Sequence, residues 1–172
     1  MPGTDINKSR YSAHVLRQND STGERYRLGL TSNTKDLHIR RIMLLVTEAL
    51  TAGIGNAYYG YGVAEGDTVV VVSLDLCGGV SGGVSVDPVG LLRGGGAPTS
   101  DAAVVVTAST SDLTPDDTAV LMMELPLYEG SGVTDLRWDN GEFVLTDGQS
   151  LLFQVSADDS VVSIYVEWCE GE

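Results

Sequence analysis

Alternation with a period of two is the feature that most constrains this chain. Between Val161 and Trp168, Val162, Ile164, Val166 and Trp168 alternate with Ser163, Tyr165 and Glu167. Successive side chains of a strand point to opposite faces, so such a segment has one apolar and one polar side. Tyr26, Leu28 and Leu30 alternate in the same way with Arg25, Arg27 and Gly29. Thr68 to Leu76 and Ala102 to Ala108 are dominated by β-branched and small apolar residues, which predicts two further strands.

The run from Leu37 to Thr47 mixes Ile39, Ile42 and Leu44 with His38, Arg40 and Arg41. Met, Leu, Glu and Ala are good helix formers, so a helix competes there, but a strand followed by a loop is the preferred reading. Thr118–Leu127 predicts a strand whose Pro126 places it at a sheet edge. Leu136–Trp138 and Glu142–Leu145 flank Asp139-Asn140-Gly141, which predicts a tight hairpin. Ser150–Val155 and Val161–Trp168 follow after short Asp-rich turns, so the C-terminal third reads as a meander.

Glycine punctuates the rest. Gly53, Gly55, Gly60, Gly62 and Gly66 surround Tyr58, Tyr59 and Tyr61, which forbids a helix there. Gly78 to Ser100 reads as a long loop, with a short strand at Val84–Val86 and one helical turn at Pro88–Leu92. Eight to ten strands and no long helix predict an all-β fold, an antiparallel β-sandwich with glycine-rich loops. Residues 1–23 read as an N-terminal arm with a short strand around Tyr11–Leu16, and residues 24–172 as the domain.

Charge narrows the class of partner. Twenty-four acids oppose ten bases, a formal net charge of −14, and eight of the ten bases are arginine. This balance resembles the proteins of extreme halophiles. Uncompensated negative charge loosens a fold in dilute buffer, whereas at molar salt the Debye length falls to about 3 Å and the repulsion is screened. The same balance argues against direct nucleic-acid binding. No run approaches the apolar length of a transmembrane helix, and Met1–Arg10 has no apolar signal core.

Chemistry-bearing patterns are scarce. His14 and His38 lack metal-ligand spacing, and there is no Cys-x-x-Cys or Gly-x-Ser-x-Gly. Cys77 has no nearby histidine, and it either pairs with Cys169 or stays a buried thiol. The glycine clusters lack the lysine and the strand-to-helix setting of a phosphate loop. Asp116-Asp117 and Asp158-Asp159 sit in turns without EF-hand spacing. The expectation is therefore no catalysis, cofactor, metal site or small-molecule substrate. Arginine is concentrated early, at Arg10, Arg17, Arg25, Arg27, Arg40 and Arg41. Such asymmetry suits docking of one subunit's N-terminal region on the acidic face of another.

The segment Phe143-Val144-Leu145-Thr146-Asp147-Gly148-Gln149-Ser150-Leu151-Leu152-Phe153-Gln154-Val155, with Val161–Glu167 after it, resembles the closing strands of viral jelly-roll proteins. Ile39 to Val46 is similar to an early core strand of such folds. The nearest family is the small single jelly-roll capsid proteins of icosahedral, internal-membrane-containing viruses of halophilic archaea. The resemblance implies a single jelly roll of about eight strands in two sheets, and a coat subunit assembling into capsomers. Its partners would be copies of itself, other virion proteins and the viral membrane surface. It would act in the virion, assembled in the host cytoplasm. Tyr58, Tyr59 and Tyr61 would then lie at strand ends where neighbours meet. Two other classes share the pattern. One is a decoration, turret or tail-associated protein; the other is a glycan-binding module with Tyr58, Tyr59, Tyr61 and Trp138 as its stacking platform.

Overall fold

The computed structural model describes residues 9–17, 25–48, 69–91, 99–107, 112–128, 132–138, 143–155 and 161–171. They form fourteen strands and no helix. All strand pairs are antiparallel. Sheet A contains β1 (Arg10–Arg17), β3 (Leu37–Glu48), β7 (Val89–Gly90), β11 (Thr134–Arg137), β12 (Val144–Leu145) and β14 (Val161–Glu170). Its order is β11-β3-β14-β1-β7, and β12 also pairs with β3. Sheet B contains β2 (Arg25–Thr31), β4 (Val69–Cys77), β6 (Val84–Ser85), β8 (Ala103–Val106), β10 (Val120–Tyr128) and β13 (Ser150–Val155). Its order is β10-β4-β13-β2-β8-β6. A separate ribbon pairs β5 (Val80–Gly82) with β9 (Leu113–Pro115).

The facing sides of the two sheets share one apolar core, so the fold is an antiparallel β-sandwich. The alternation in the sequence assigns the faces. Sheet A contributes Val162, Ile164, Val166 and Trp168 from β14, with Tyr11, Ala13 and Val15 from β1. Sheet B contributes Val70, Val72 and Leu74 from β4, and Leu151, Phe153 and Val155 from β13. Trp168 stacks on Tyr11 with ring centroids 6.1 Å apart. The ribbon β5–β9 lies on the outer side of sheet B. A Cβ on Gly29 would meet Leu152, Val105 and Val80 at 3.1–3.2 Å, so glycine there leaves room for the ribbon.

Strand β3 carries the one irregularity that matters most for the surface. Leu37 and Ile39 face the core, and so do Ile42, Leu44 and Val46. Strict alternation from Ile39 would turn Arg41 inward. Instead the register with β14 runs Glu167↔Arg41 and then Trp168↔Ile39, which skips Arg40. This β-bulge shifts the phase by one residue, so neither arginine enters the core. The carbonyl of the bulged residue is not wasted: Trp138 N–H donates to Arg40 O at 3.0 Å.

Several expectations need correction. β11 and β12 do not form a hairpin with each other. Both pair with β3, at Thr134↔Leu44 through Arg137↔Arg41 and at Val144↔His38 through Leu145↔Leu37. They are successive pieces of one edge; the turn expected at 139–141 lies outside the described residues. Nor is the C-terminal third a meander. β12, β13 and β14 alternate between the sheets and none pairs with another. Short turns can join strands across a sandwich as readily as within one sheet. The helical turn expected at Pro88–Leu92 is instead β7, held on β1 by Leu91 N–H donating to Arg10 O. The strands number fourteen among the described residues, above the eight to ten expected, because β5, β6, β7, β9 and β12 are two or three residues long. The expected strand around Tyr11–Leu16 is β1, which lies inside sheet A between β14 and β7. Pro126 does lie on an edge, because β10 ends sheet B.

Candidate interaction surface

The outer side of sheet A gathers several of the arginines of this acidic chain. A hollow of about 250 Å³ is lined by Arg10, Arg40, Arg41, Arg137, Trp138 and Glu167. Four of the ten basic residues of the whole chain thus meet at one place. The β3 bulge is what makes this possible, because it keeps Arg40 and Arg41 both out of the core. The break between β11 and β12 occurs at the same level, since Arg137 pairs with Arg41 and Val144 with His38.

Arg137 stands directly opposite Arg41, a like-charge pair that would be unfavourable alone. Asp135 resolves it. Arg41 Nε donates to Asp135 Oδ1 and Arg41 Nη2 to Oδ2, each at 2.8 Å. Arg137 Nε and Nη2 donate to Asp135 Oδ2 at 3.0 and 2.7 Å. The fork on Arg41 is bidentate, the geometry that fixes both position and orientation. Hydrogen bonds from Arg41 and then Arg137 hold the Asp135 carboxyl far below the usual carboxylate range. Asp135 in turn raises the Arg41 guanidinium. Glu167 lines the hollow with the four arginines, so acidic and basic side chains meet there. Trp138 forms its wall and packs on Phe143 at 5.4 Å between centroids.

A second hollow, of about 350 Å³ and mainly apolar, lies on the same face. It is lined by His14, Met43, Leu45, Val133, Ser163 and Tyr165, with Leu44. His14 Nε2 and Ser163 Oγ are 2.7 Å apart. Tyr165 donates to Glu167 at 3.2 Å, and burial and then the charge of Glu167 push its phenol pKa up. Met43 and Arg41 alternate along β3, as Tyr165 and Glu167 do along β14. The two hollows are therefore neighbours.

The structure brings only part of the expected arginine set together. Arg10, Arg40 and Arg41 converge; Arg17 lies at the far end of β1, where it pairs with Val162. Arg25 and Arg27 belong to sheet B, and Arg27 is only 4% exposed. It is thus no part of this surface. Tyr58, Tyr59 and Tyr61 lie outside the described residues. The sequence reading missed Arg137, Asp135 and Glu167. In sequence Leu136–Trp138 reads only as one flank of a hairpin, and only the pairing with β3 reveals the neighbours of Arg137.

Cys77 and Cys169 are both free and buried, and they lie on different sheets. Burial raises the Cys77 thiol, which donates to Gly79 O at 2.9 Å. Among the described residues, no group of three or more His, Cys, Asp or Glu side chains could hold a metal ion. No protein-family model matches the chain, and neither a curated protein nor a solved structure matches it.

Proposed function

We propose that this chain is a virion structural protein, a single jelly-roll coat subunit that assembles into capsomers of a virus of salt-loving archaea. The order of strand pairing carries the reading. A jelly roll is a ribbon of eight strands whose first half pairs with its second half in reverse, wrapped into two sheets. Counting β11 and β12 as one interrupted strand, the long strands here are β1, β2, β3, β4, β10, β11/β12, β13 and β14. β1 pairs with β14, β2 with β13, β3 with β11 and β12, and β4 with β10. The wrapping contacts of such a ribbon are the pairs β3 with β14 and β4 with β13. β5 to β9 then form an insertion between the fourth and fifth strands of the ribbon.

Viral coats and glycan-binding lectins both use this topology, so fold alone does not choose between them. The surface favours the coat. Trp138 leans on Phe143 in a hollow walled by arginines, a poor stacking platform for a neutral sugar. The net charge of −14 supports a working environment of high salt. The test is sedimentation velocity in about 3 M salt, where screening is nearly complete, and again after dialysis to low salt. Defined assemblies at high salt that dissociate or unfold at low salt support the coat reading. A small oligomer of fixed size that never grows favours a decoration or tail-associated protein. A monomer at every salt concentration contradicts both.

A further inference from the structure

One end of the sandwich is closed by a ring of hydrogen bonds that crosses both sheets. Glu170, at the end of β14, is only 5% exposed. Its Oε1 accepts from Ser100 Oγ and from Asp101 N–H at 2.7 Å. Ala102 N–H divides between Ser100 Oγ at 3.1 Å and Glu170 Oε1 at 3.4 Å. Residues 99–102 lead directly into β8 of sheet B. Asp101 passes the connection on. Its Oδ2 accepts from Thr34 N–H at 2.7 Å and Lys35 N–H at 2.9 Å, and its Oδ1 from Thr34 Oγ1 at 2.9 Å. Asn33 Nδ2 donates to the Asp101 carbonyl at 2.6 Å. The 32–36 loop joins β2 of sheet B to β3 of sheet A. Asp36 O closes the ring by accepting from Gly171 N–H at 2.8 Å. Two carboxylates thus link three segments of chain.

We propose that this ring is an acid-released latch: at low pH residues 99–102 let go of β14 and of the 32–36 loop, while the two sheets stay packed. The latch is independent of the coat reading. It opens as a unit because its links depend on one another. Once Asp101 loses Thr34 and Lys35, residues 99–102 lose one of their anchors. Once those residues leave, Glu170 is a buried carboxylate stripped of donors, which is costly. Asn33 to Asp36 are exposed, so little apolar burial resists the opening. The core is held by apolar burial and does not depend on these charges. Burial pushes the Asp101 carboxyl up, but the bonds from Thr34 and Lys35 outweigh it and hold its pKa down. Its contribution is therefore complete above the open-state value of about 4 and is lost as pH falls through the closed-state value. The other charged or titratable groups around the ring are Lys35 and Asp36 in the loop, Asp147 in the turn bonded to Ser32, Arg10 and Tyr11 on β1, and His38 on β3 beside Gly171. Below about pH 5 the side chains that ordinarily still change charge are carboxylates, and Asp36 enters the ring through its backbone carbonyl.

The test is amide hydrogen exchange of the full chain, followed by NMR from about pH 7 to about pH 2.5, across the ordinary carboxylate range. Each rate is referred to the intrinsic rate at that pH. About 1 M salt screens long-range charge, so that a change in net charge does not drive the result. The latch donors Thr34, Lys35, Asp101, Ala102 and Gly171 should lose protection together below about pH 4, while amides of β4 and β13 keep theirs. Asp101→Asn and Glu170→Gln each place a neutral carboxamide in the ring. Each is expected to raise exchange of the remaining latch amides at neutral pH about tenfold, the scale of a hydrogen bond to a charged group. Asp101→Asn should also flatten the response to acid. Ser100→Ala removes a donor and no titratable group, so exchange should rise at every pH and the acid response should remain. A purely local role for Asp101 would let Asp101→Asn affect Thr34 and Lys35 but not Ala102 or Gly171, and that result overturns the latch. Wild-type protection that persists to the lowest pH, or vanishes only together with that of β4 and β13, overturns it too. Should a carboxamide variant fail to fold, the wild-type pH series and Ser100→Ala decide.

Discussion

At the scale of single residues, backbone conformation and local charge make distinct demands. Gly83 has φ of +72°, and a Cβ there would stand 2.7 Å from Val106 O and 2.4 Å from a Leu113 methyl. Gly132 has a similar φ of +82° but nothing within 4 Å. Gly83→Ala should therefore cost about 1–3 kcal/mol or more, from strain and clash together, and Gly132→Ala should cost less. Urea unfolding of the two variants checks this. Asp101 makes a different demand. Burial pushes its carboxyl up, but hydrogen bonds from Thr34 N, Thr34 Oγ1 and Lys35 N at 2.7–2.9 Å outweigh it and hold the pKa down. A depressed folded pKa contributes stability above the unfolded value of about 4 that is lost as pH falls through the folded one. Asp101→Asn should accordingly flatten the loss of stability below about pH 4, read from unfolding midpoints against pH. Equal acid sensitivity of variant and wild type would contradict this account.

At the scale of elements, the bulge in β3 decides which side chains are structural. It holds Ile42 and Leu44 fully buried while sending Arg40 and Arg41 outward. Ile42→Ala should cost about 2–5 kcal/mol, the transfer and cavity cost of a buried aliphatic side chain. Leu121→Ala, on the open edge of β10, should stay within about 0.5 kcal/mol. Equal costs in denaturant titration would mean that β10 is not the exposed edge. The same bulge marks where sequence reasoning reached its limit. The long strands are legible because alternation writes burial directly into 161–168, 25–30 and 68–76. Adjacent arginines in β3 broke that alternation, and a bulge is the physical reason, yet nothing local says whether such a strand bulges or becomes a helix. Pairing partners were illegible for another reason. A turn of a few residues fits a hairpin or a crossing between sheets, so the meander expected at the C-terminus became three strands in alternating sheets. Arg10, Arg40 and Arg41 were singled out by composition, but Arg137 joined them only through its register with Arg41.

At the scale of the whole molecule, net charge sets the conditions under which copies of the chain can meet. Sheet A has an arginine-lined hollow beside an apolar one, and β10, the end strand of sheet B among the described residues, exposes Val120, Leu121 and Met122. Repulsion opposes association in dilute buffer, because the chain as a whole carries −14. Assembly should therefore rise with salt, the reverse of a complex held by long-range attraction. Unfolding midpoints should rise over the same range, since screening also relieves repulsion within each subunit. The most direct measurement is electron microscopy of the purified wild-type protein concentrated in about 3 M salt, where the Debye length is below about 3 Å. Closed shells or regular arrays of capsomers are the predicted result. Dispersed monomers under the same conditions would contradict the account.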